Sequence, residues 1–265
     1  MSVNSFTTAY SQVQIGDPVD AGPIEKGRAA VLSAASSDAI QAGYGVDLAS
    51  GAILGYKPLI QRPASATGEF RGIVPRAAIP TDEEAALRGS TADQLYPGQC
   101  LEVYAKGKWR VPITENVTAL GDVYLKYSGS DAGKFAASSG GVSEIQTLTF
   151  ANGGAGTASG NFDGLLELTF ADLGSNNANA AQWAALFNAS ADYAALGSAN
   201  AVGAVVTVTF TDFVAHTFTD NSTTITITDA QTQAPVAPTA RLIEGAKWAV
   251  TTTGASGAGV VDLGQ

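Results

Sequence analysis

The histidine of this chain, His216, lies in TDFVAHTFTD between Asp212 and Asp220. A carboxylate-oriented imidazole beside hydroxyl side chains is how many nucleophilic sites begin. In an extended strand, however, His216 shares its side with Asp212, Val214, Phe218 and Asp220, and no G-x-S-x-G elbow supplies a nucleophile. The carboxylate pairs Asp82 with Glu83 and Asp17 with Asp20 are of a type a glycosidase uses, yet the first pair opens a capped helix, where acidic groups favour the positive end of the dipole. Cys100 is alone, so neither a disulfide nor a Cys/His zinc framework can be assembled, and it reads as a small buried hydrophobe beside LEVYA. No D-x-[DN]-x-[DN]-G calcium loop is present, and GGAGTASG is not followed by the GK[ST] of a phosphate cradle. The residues therefore predict no catalytic group, no cofactor and no metal site, the profile of a protein that is not an enzyme.

Composition limits the partners. Of 265 residues only 14% are charged, against about 25% in typical soluble chains, and Gly is abundant at 30 residues. That is the profile of a β-rich, durable protein of two domains. The net charge of −10 and a richest basic cluster of Lys106, Lys108 and Arg110 argue against nucleic acid. The first residues lack the basic and apolar regions of a signal peptide, and no run of about 18 apolar residues reaches across a bilayer, so no membrane contact is expected.

The elements fall into two groups. After Lys134 no Lys or Arg occurs until Arg241, while eight acidic residues lie between. AASSGG and QTQAPVAP mark the edges as exposed connections. Residues 142–237 thus read as an inserted, acidic α+β domain of ββαββ order, inside an outer domain of residues 1–141 plus 238–265. In the insertion, SEIQTLTF, LLELTF, VVTVTF and TTITITD are the strands and residues 177–198 the helix. Its stripe of Trp183, Leu186, Phe187 and Ala191 is to pack on a sheet carrying Ile145, Leu148 and Leu166. Asp163 and Gly164 between apolar runs predict a tight hairpin turn.

The outer domain repeats short strands between turns, AAVLSA, GAILGYKPLI, EFRGIVP, QCLEVYAKGKWRVPI and DVYLKYS, so the fold class is mainly β, an antiparallel β-barrel-like domain. Trp109, Val111 and Ile113 point one way in KWRVPIT, and Pro112 restricts that strand to an edge or a bulge. The carboxyl-terminal RLIEGAKWAV and VVDL cannot fold alone and should pair with the first 140 residues. TDEEAALRG, capped by Thr81 with Glu84 and stopped at Gly89, predicts a two-turn helix.

The order PGQCLEVYAKGKWRVPITENVTALGDVYLKYS then GSDAGKF, with AAVLSA, GAILGYKP and EFRGIVPRAA before it and AGVVDL at the end, resembles bacteriophage head-decoration or capsid cement proteins. The insertion resembles a small module grafted into other phage structural proteins, and the simplest cement proteins lack it. The resemblance implies a non-enzymatic virion protein, made in the host cytoplasm, that binds the major capsid protein on the outer capsid surface and stabilises the shell. Icosahedral symmetry then implies a homo-oligomer, a trimer first and a dimer second, with contacts from the barrel and the acidic insertion turned away.

Candidate contacts follow. The first 15 residues carry Phe6 and Tyr10 and no charge, which suits an extended arm that adds to a partner's sheet edge. Arg62, Arg71 and Arg76 are candidates for bidentate pairing with acidic shell residues. Two other readings compete. A carbohydrate-binding or adhesin-type module would use Tyr124, Tyr127 and Trp248 as stacking platforms, and a polysaccharide hydrolase would need a carboxylate pair in one cleft.

Overall fold

Alternation in CLEV, with Leu101 and Val103 buried and Cys100 and Glu102 exposed, is the pattern of a half-buried strand. The computed structural model describes residues 14–19, 28–33, 40–54, 57–76, 95, 98–151, 156–223, 225–252 and 257–264. Five strands, β1 (Arg28–Leu32), β2 (Gly45–Leu54), β3 (Lys57–Gln61), β4 (Phe70–Ile73) and β5 (Cys100–Val103), make one sheet in the order β4-β2-β3-β1-β5. The sheet curls until its edges touch: Ile73 N donates to Tyr104 O at 2.8 Å and Tyr104 N to Ile73 O at 3.1 Å. Leu32, Ile40, Val46, Ile60 and Val103 fill its inside. Cys100 is exposed, contrary to expectation, because Leu101 and Val103 take the inward positions of β5.

The second set closes completely. β6 (Lys108–Ile113), β7 (Asp122–Lys126) and β8 (Phe135–Ala136) join the carboxyl-terminal strands β16 (Ala240–Trp248) and β17 (Gly257–Asp262) in a barrel of order β16-β17-β6-β8-β7. Trp109, Val111 and Ile113 of β6 are buried there with Leu125, Phe135 and Trp248, so the alternation of KWRVPIT and the pairing of the chain's last strands both stand as read. The sequence put all these strands into one barrel-like layer, whereas the structure divides them between a curled sheet and a closed barrel. Pro112 fits because no N–H is needed at its place: on that edge Arg110 N donates to Asp17 O and Thr114 N to Phe135 O, and Pro112 falls in the gap between the two partners.

The chain divides into two compact units, Met1–Ser139 with Thr239–Gln265, and Gly140–Pro238. The second unit has two sheets. The four-stranded one runs β12-β13-β9-β15, with β9 (Ile145–Ala151), β12 (Gly197–Val202), β13 (Val205–Phe210) and β15 (Thr226–Gln233). The three-stranded one runs β11-β10-β14, with β10 (Thr157–Phe162), β11 (Leu168–Ala171) and β14 (Phe218–Asp220). Helix α1 (Asn176–Ala189) begins at Ser175, whose side chain accepts from Ala178 N, and stops at Ser190, which is extended. The short α2 (Ala191–Leu196) follows.

The unit is richer than ββαββ. Its helix is broken where one continuous helix was expected, and β10, β12 and β14 are additional strands. Trp183 and Phe187 are buried as predicted and Leu186 packs at the margin, but Ala180 and Ala184 complete the stripe while Ala191 is exposed. Of the sheet residues only Leu148 is fully buried; Ile145 faces the other way on β9, and Leu166 is 83% exposed beyond the turn. Phe162 is the centre of the core, with ring centroids 5.2 Å from Phe210, 5.1 Å from Phe218, 6.2 Å from Trp183 and 6.3 Å from Phe187. The expected turn is present: Asp163 and Gly164 have φ of 52° and 73°, and Leu165 N donates to Phe162 O at 2.9 Å. The helix predicted from Thr81 to Gly89 lies outside the described residues.

Candidate functional site

His216 lies in the loop before β14, not in a strand, and that loop folds its side chain inward to 3% exposure. The ring stacks on Phe210, centroids 3.9 Å apart at 13°. Nδ1 is 2.6 Å from Asp163 Oδ2 and Nε2 is 2.8 Å from Asp212 Oδ1. A carboxylate offers only lone pairs to a ring nitrogen, so both nitrogens are matched only when both carry hydrogen. Burial is the largest influence on this group and lowers its pKa, but hydrogen bonds and charge from Asp163 and Asp212 together outweigh it, and the net pKa lies above its ordinary value.

The main chain of the loop is held as firmly. His216 N donates to Glu144 Oε2 at 2.6 Å, Gln146 Nε2 donates to His216 O at 2.6 Å, and Thr217 N donates to Asp163 Oδ1 at 2.9 Å. Glu144, wholly buried at the start of β9, also accepts from the side-chain amides of Gln146 and Gln231. Both ring nitrogens of His216 are engaged on carboxylates and none faces a hydroxyl, so the arrangement pins a loop and leaves no base for a nucleophile. Asp212 was legible as a partner four residues away, but the second carboxylate is Asp163 and not Asp220. Asp220 instead caps the chain, its Oδ1 accepting from Ser222 N and its Oδ2 from Ile227 N.

The other chemical candidates disperse. Asp17 Oδ2 accepts from Gln14 N at 2.9 Å, while Asp20, Asp82 and Glu83 lie outside the described residues. No group of three His, Cys, Asp or Glu side chains that could hold a metal occurs among the described residues. No helix is long and apolar enough to cross a membrane among them. Trp248 is fully buried in the barrel, so it cannot be a stacking platform, and Tyr124 and Tyr127 are half-buried.

The candidate contact arginines have separate surroundings. Arg62 donates from Nε to Ala132 O at 2.8 Å and from Nη2 to Ser130 O at 2.6 Å, so its fork clamps a turn of its own chain. Arg71, on β4, is half-buried, and its Nε has no hydrogen-bond partner among the described residues. Arg76 is exposed, and its main-chain N donates to Gly16 O at 3.0 Å. Phe6 and Tyr10 lie outside the described residues. Residues 14–19 run along β6 as a strap, with Gly16 N donating to Arg110 O at 2.7 Å and Val19 N to Lys108 O at 2.9 Å. Gly43 makes room for it: φ is +77°, and a Cβ there would meet Ile15 Cγ2 at 2.5 Å.

The family profile of the structural cement protein (E217 gp24/Pam3 gp6) matches residues 6–171. The chain belongs to that family. This cement protein therefore has a structural, capsid-stabilising role, as its resemblance in the strand order had implied. The match takes in the curled sheet, the first three barrel strands and the beginning of the second unit. A solved structure from Mycobacterium phage Patience aligns over 94% of this chain and 95% of its own, at 14% identity and a TM-score of 0.25, a likeness too loose to bear on the fold. Comparison with curated proteins finds no match.

Proposed function

We propose that this cement protein binds the outer surface of a phage capsid through its first unit, bridging neighbouring copies of the major capsid protein, and does so without catalysing a reaction. The family match over residues 6–171 carries the reading. The first unit supports it in kind, because a closed barrel and a curled sheet with few loose edges resist deformation and leave side chains, not backbone, to make contact. All 14 basic residues fall outside 135–240, so the first unit is the better adhesive surface and the acidic second unit is turned away from the shell. The working form is a homotrimer matched to threefold or quasi-threefold positions, with a dimer at twofold positions as the alternative.

The test is co-sedimentation with capsids of the parent phage lacking this protein, followed by heating. Bound protein should raise the temperature at which the shells release DNA. Shells that bind it without any gain in resistance would remove the cementing role, and shells that do not bind it would remove the shell as partner.

A further inference from the structure

Two arginines in the first unit line one cleft that no carboxylate among the described residues fills. Gln14, Ile15, Arg76, Arg110, Gly257 and Ala258 line a volume of about 620 Å³. Gly16 ties its two sides together, donating from N to Arg110 O at 2.7 Å and accepting at O from Arg76 N at 3.0 Å. Gly257 and Ala258 of β17 lie opposite Ile113 and Pro112 of β6, and their small side chains leave the space open. Arg110 alternates with the buried Trp109 and Val111, so its side chain leaves the barrel on the outside, and Arg76 is exposed.

The charge pattern around the pair bears on what it can bind. The chain has 24 carboxylates for 14 Lys and Arg, and in the same unit Lys134, Arg241 and Lys247 each hold an aspartate. Arg62 is spent on carbonyls. Among the described residues neither the Arg76 nor the Arg110 guanidinium has an ion pair or a hydrogen bond. Asp17, on the strap itself, accepts at Oδ2 from Gln14 N. In a protein with a surplus of acid, two cations that no described carboxylate meets on one cleft are complementary to an anion from outside.

We infer that this cleft takes an acidic side chain of the shell protein, an Asp or Glu gripped by Arg76 and Arg110. The inference rests on the cement reading for its partner and on the cleft alone for its chemistry. Guanidinium is the natural reader of carboxylate because its planar fork presents paired N–H donors, and it is weakly hydrated, so less is lost when water leaves. Recognition of this kind is electrostatic at the rim of a contact and weakens with salt.

Two measurements on the full chain separate the chemistry from the partner. The first is fluorescence anisotropy of a labelled Glu-rich peptide with wild type, Arg76→Ala, Arg110→Ala, the double variant and Arg76→Lys with Arg110→Lys. Peptide binding that falls at least tenfold in the double variant, is partly kept by the lysines and weakens with salt is expected; equal binding by all proteins overturns the site. The second is co-sedimentation with capsids, each variant first checked for an unchanged melting temperature. A matching tenfold loss on shells supports the assignment. Loss on peptide with none on shells leaves a carboxylate cleft and overturns the shell as its source. A change in mass by light scattering without a change on shells gives the cleft to a second copy of this chain, which also overturns it. If wild type binds peptide but no shell, the cement reading fails and the shell assignment with it, while the cleft's chemistry stands.

Discussion

Arg241 of β16 places its guanidinium on the carboxylate of Asp47 in β2, joining barrel and curled sheet across 194 residues of sequence. The same fork donates from Nη1 to Ser65 O at 2.8 Å. Asp47 is 1% exposed and its Oδ2 has no hydrogen-bond partner among the described residues. Burial is the largest influence on its pKa and raises it, Glu69 adds to the rise, and Arg241 offsets part of it. An acid with a folded pKa above its unfolded one contributes stability below the unfolded value and loses it as pH rises through the folded value. The charged pair at neutral pH is therefore a costly junction, useful for fixing how sheet and barrel meet.

Removing one partner should be worse than removing both. Arg241→Met strands a buried carboxylate and should cost about 3–5 kcal/mol, whereas Asp47→Asn should cost less, and the double variant should recover much of the loss. Urea melts of the four proteins at neutral pH check this. A single Arg241→Met that loses under about 1 kcal/mol would show that the carboxylate is rehydrated or protonated at little expense.

The His216 clasp predicts a pH dependence of opposite sense to acid denaturation. Because its folded pKa lies above the unfolded value near 6.5, its stabilisation is fully present below that value and is lost as pH rises through the folded pKa. His216→Ala should cost about 2 kcal/mol in the acidic arm, from lost charge-assisted bonds, and less in the alkaline arm. Melting temperature against pH for wild type and variant gives the difference curve directly. Parallel curves across the window would mean that folding leaves the ring's affinity for protons unchanged.

What could be read in advance, and what could not, follows from packing. β6, β9 and β13 alternate cleanly, and their strands, along with the closure of the barrel by the last segment, were legible. β10 was not, since TASGNF within GGAGTASGNF reads as loop. Its Gly160 is small because Phe218 lies over it: a Cβ there would meet Phe218 Cζ at 2.5 Å. The apolar volume that marks a strand is supplied by the neighbour's ring, so the strand's own residues do not show it. Gly197 at the head of β12 is similar, with Thr209 O 2.2 Å from a would-be Cβ, which is why Gly197 and Ser198 passed for the end of a helix. Asp163 reaches His216 from 53 residues away, and no local spacing announces such a pair.

Leu120 offers a stabilising change. It holds φ at 65°, a region where a non-glycine residue is strained, and its side chain is 81% exposed. Leu120→Gly should raise stability by about 0.5–1 kcal/mol, the relief of strain exceeding the entropy that glycine adds to the unfolded chain. Thermal melts would read it. A loss of stability would mean that Leu120 packs on something its exposure does not reveal.

The acidic unit should oppose self-association of the chain. Its exit points are neighbours within the first unit: Thr239 N and Ala240 N both donate to Ser139 O, at 2.9 and 3.0 Å. Its core, from Leu148 to Ile227, is built from its own residues. Excising 140–238 with a short Gly/Ser joint should therefore leave a cooperatively folding first unit. The excised part carries eight acidic residues and no Lys or Arg, so copies brought together in an oligomer repel through it, most strongly at low ionic strength where the screening length is about 30 Å at 0.01 M. The full-length chain of 26.8 kDa should consequently assemble better as salt is raised, and the excised form should assemble at least as well with much less salt dependence. Light scattering across a salt series on both proteins decides it. A folded, excised form that stays monomeric while the full chain assembles would show that the second unit makes the contacts, which would overturn a barrel-borne oligomer.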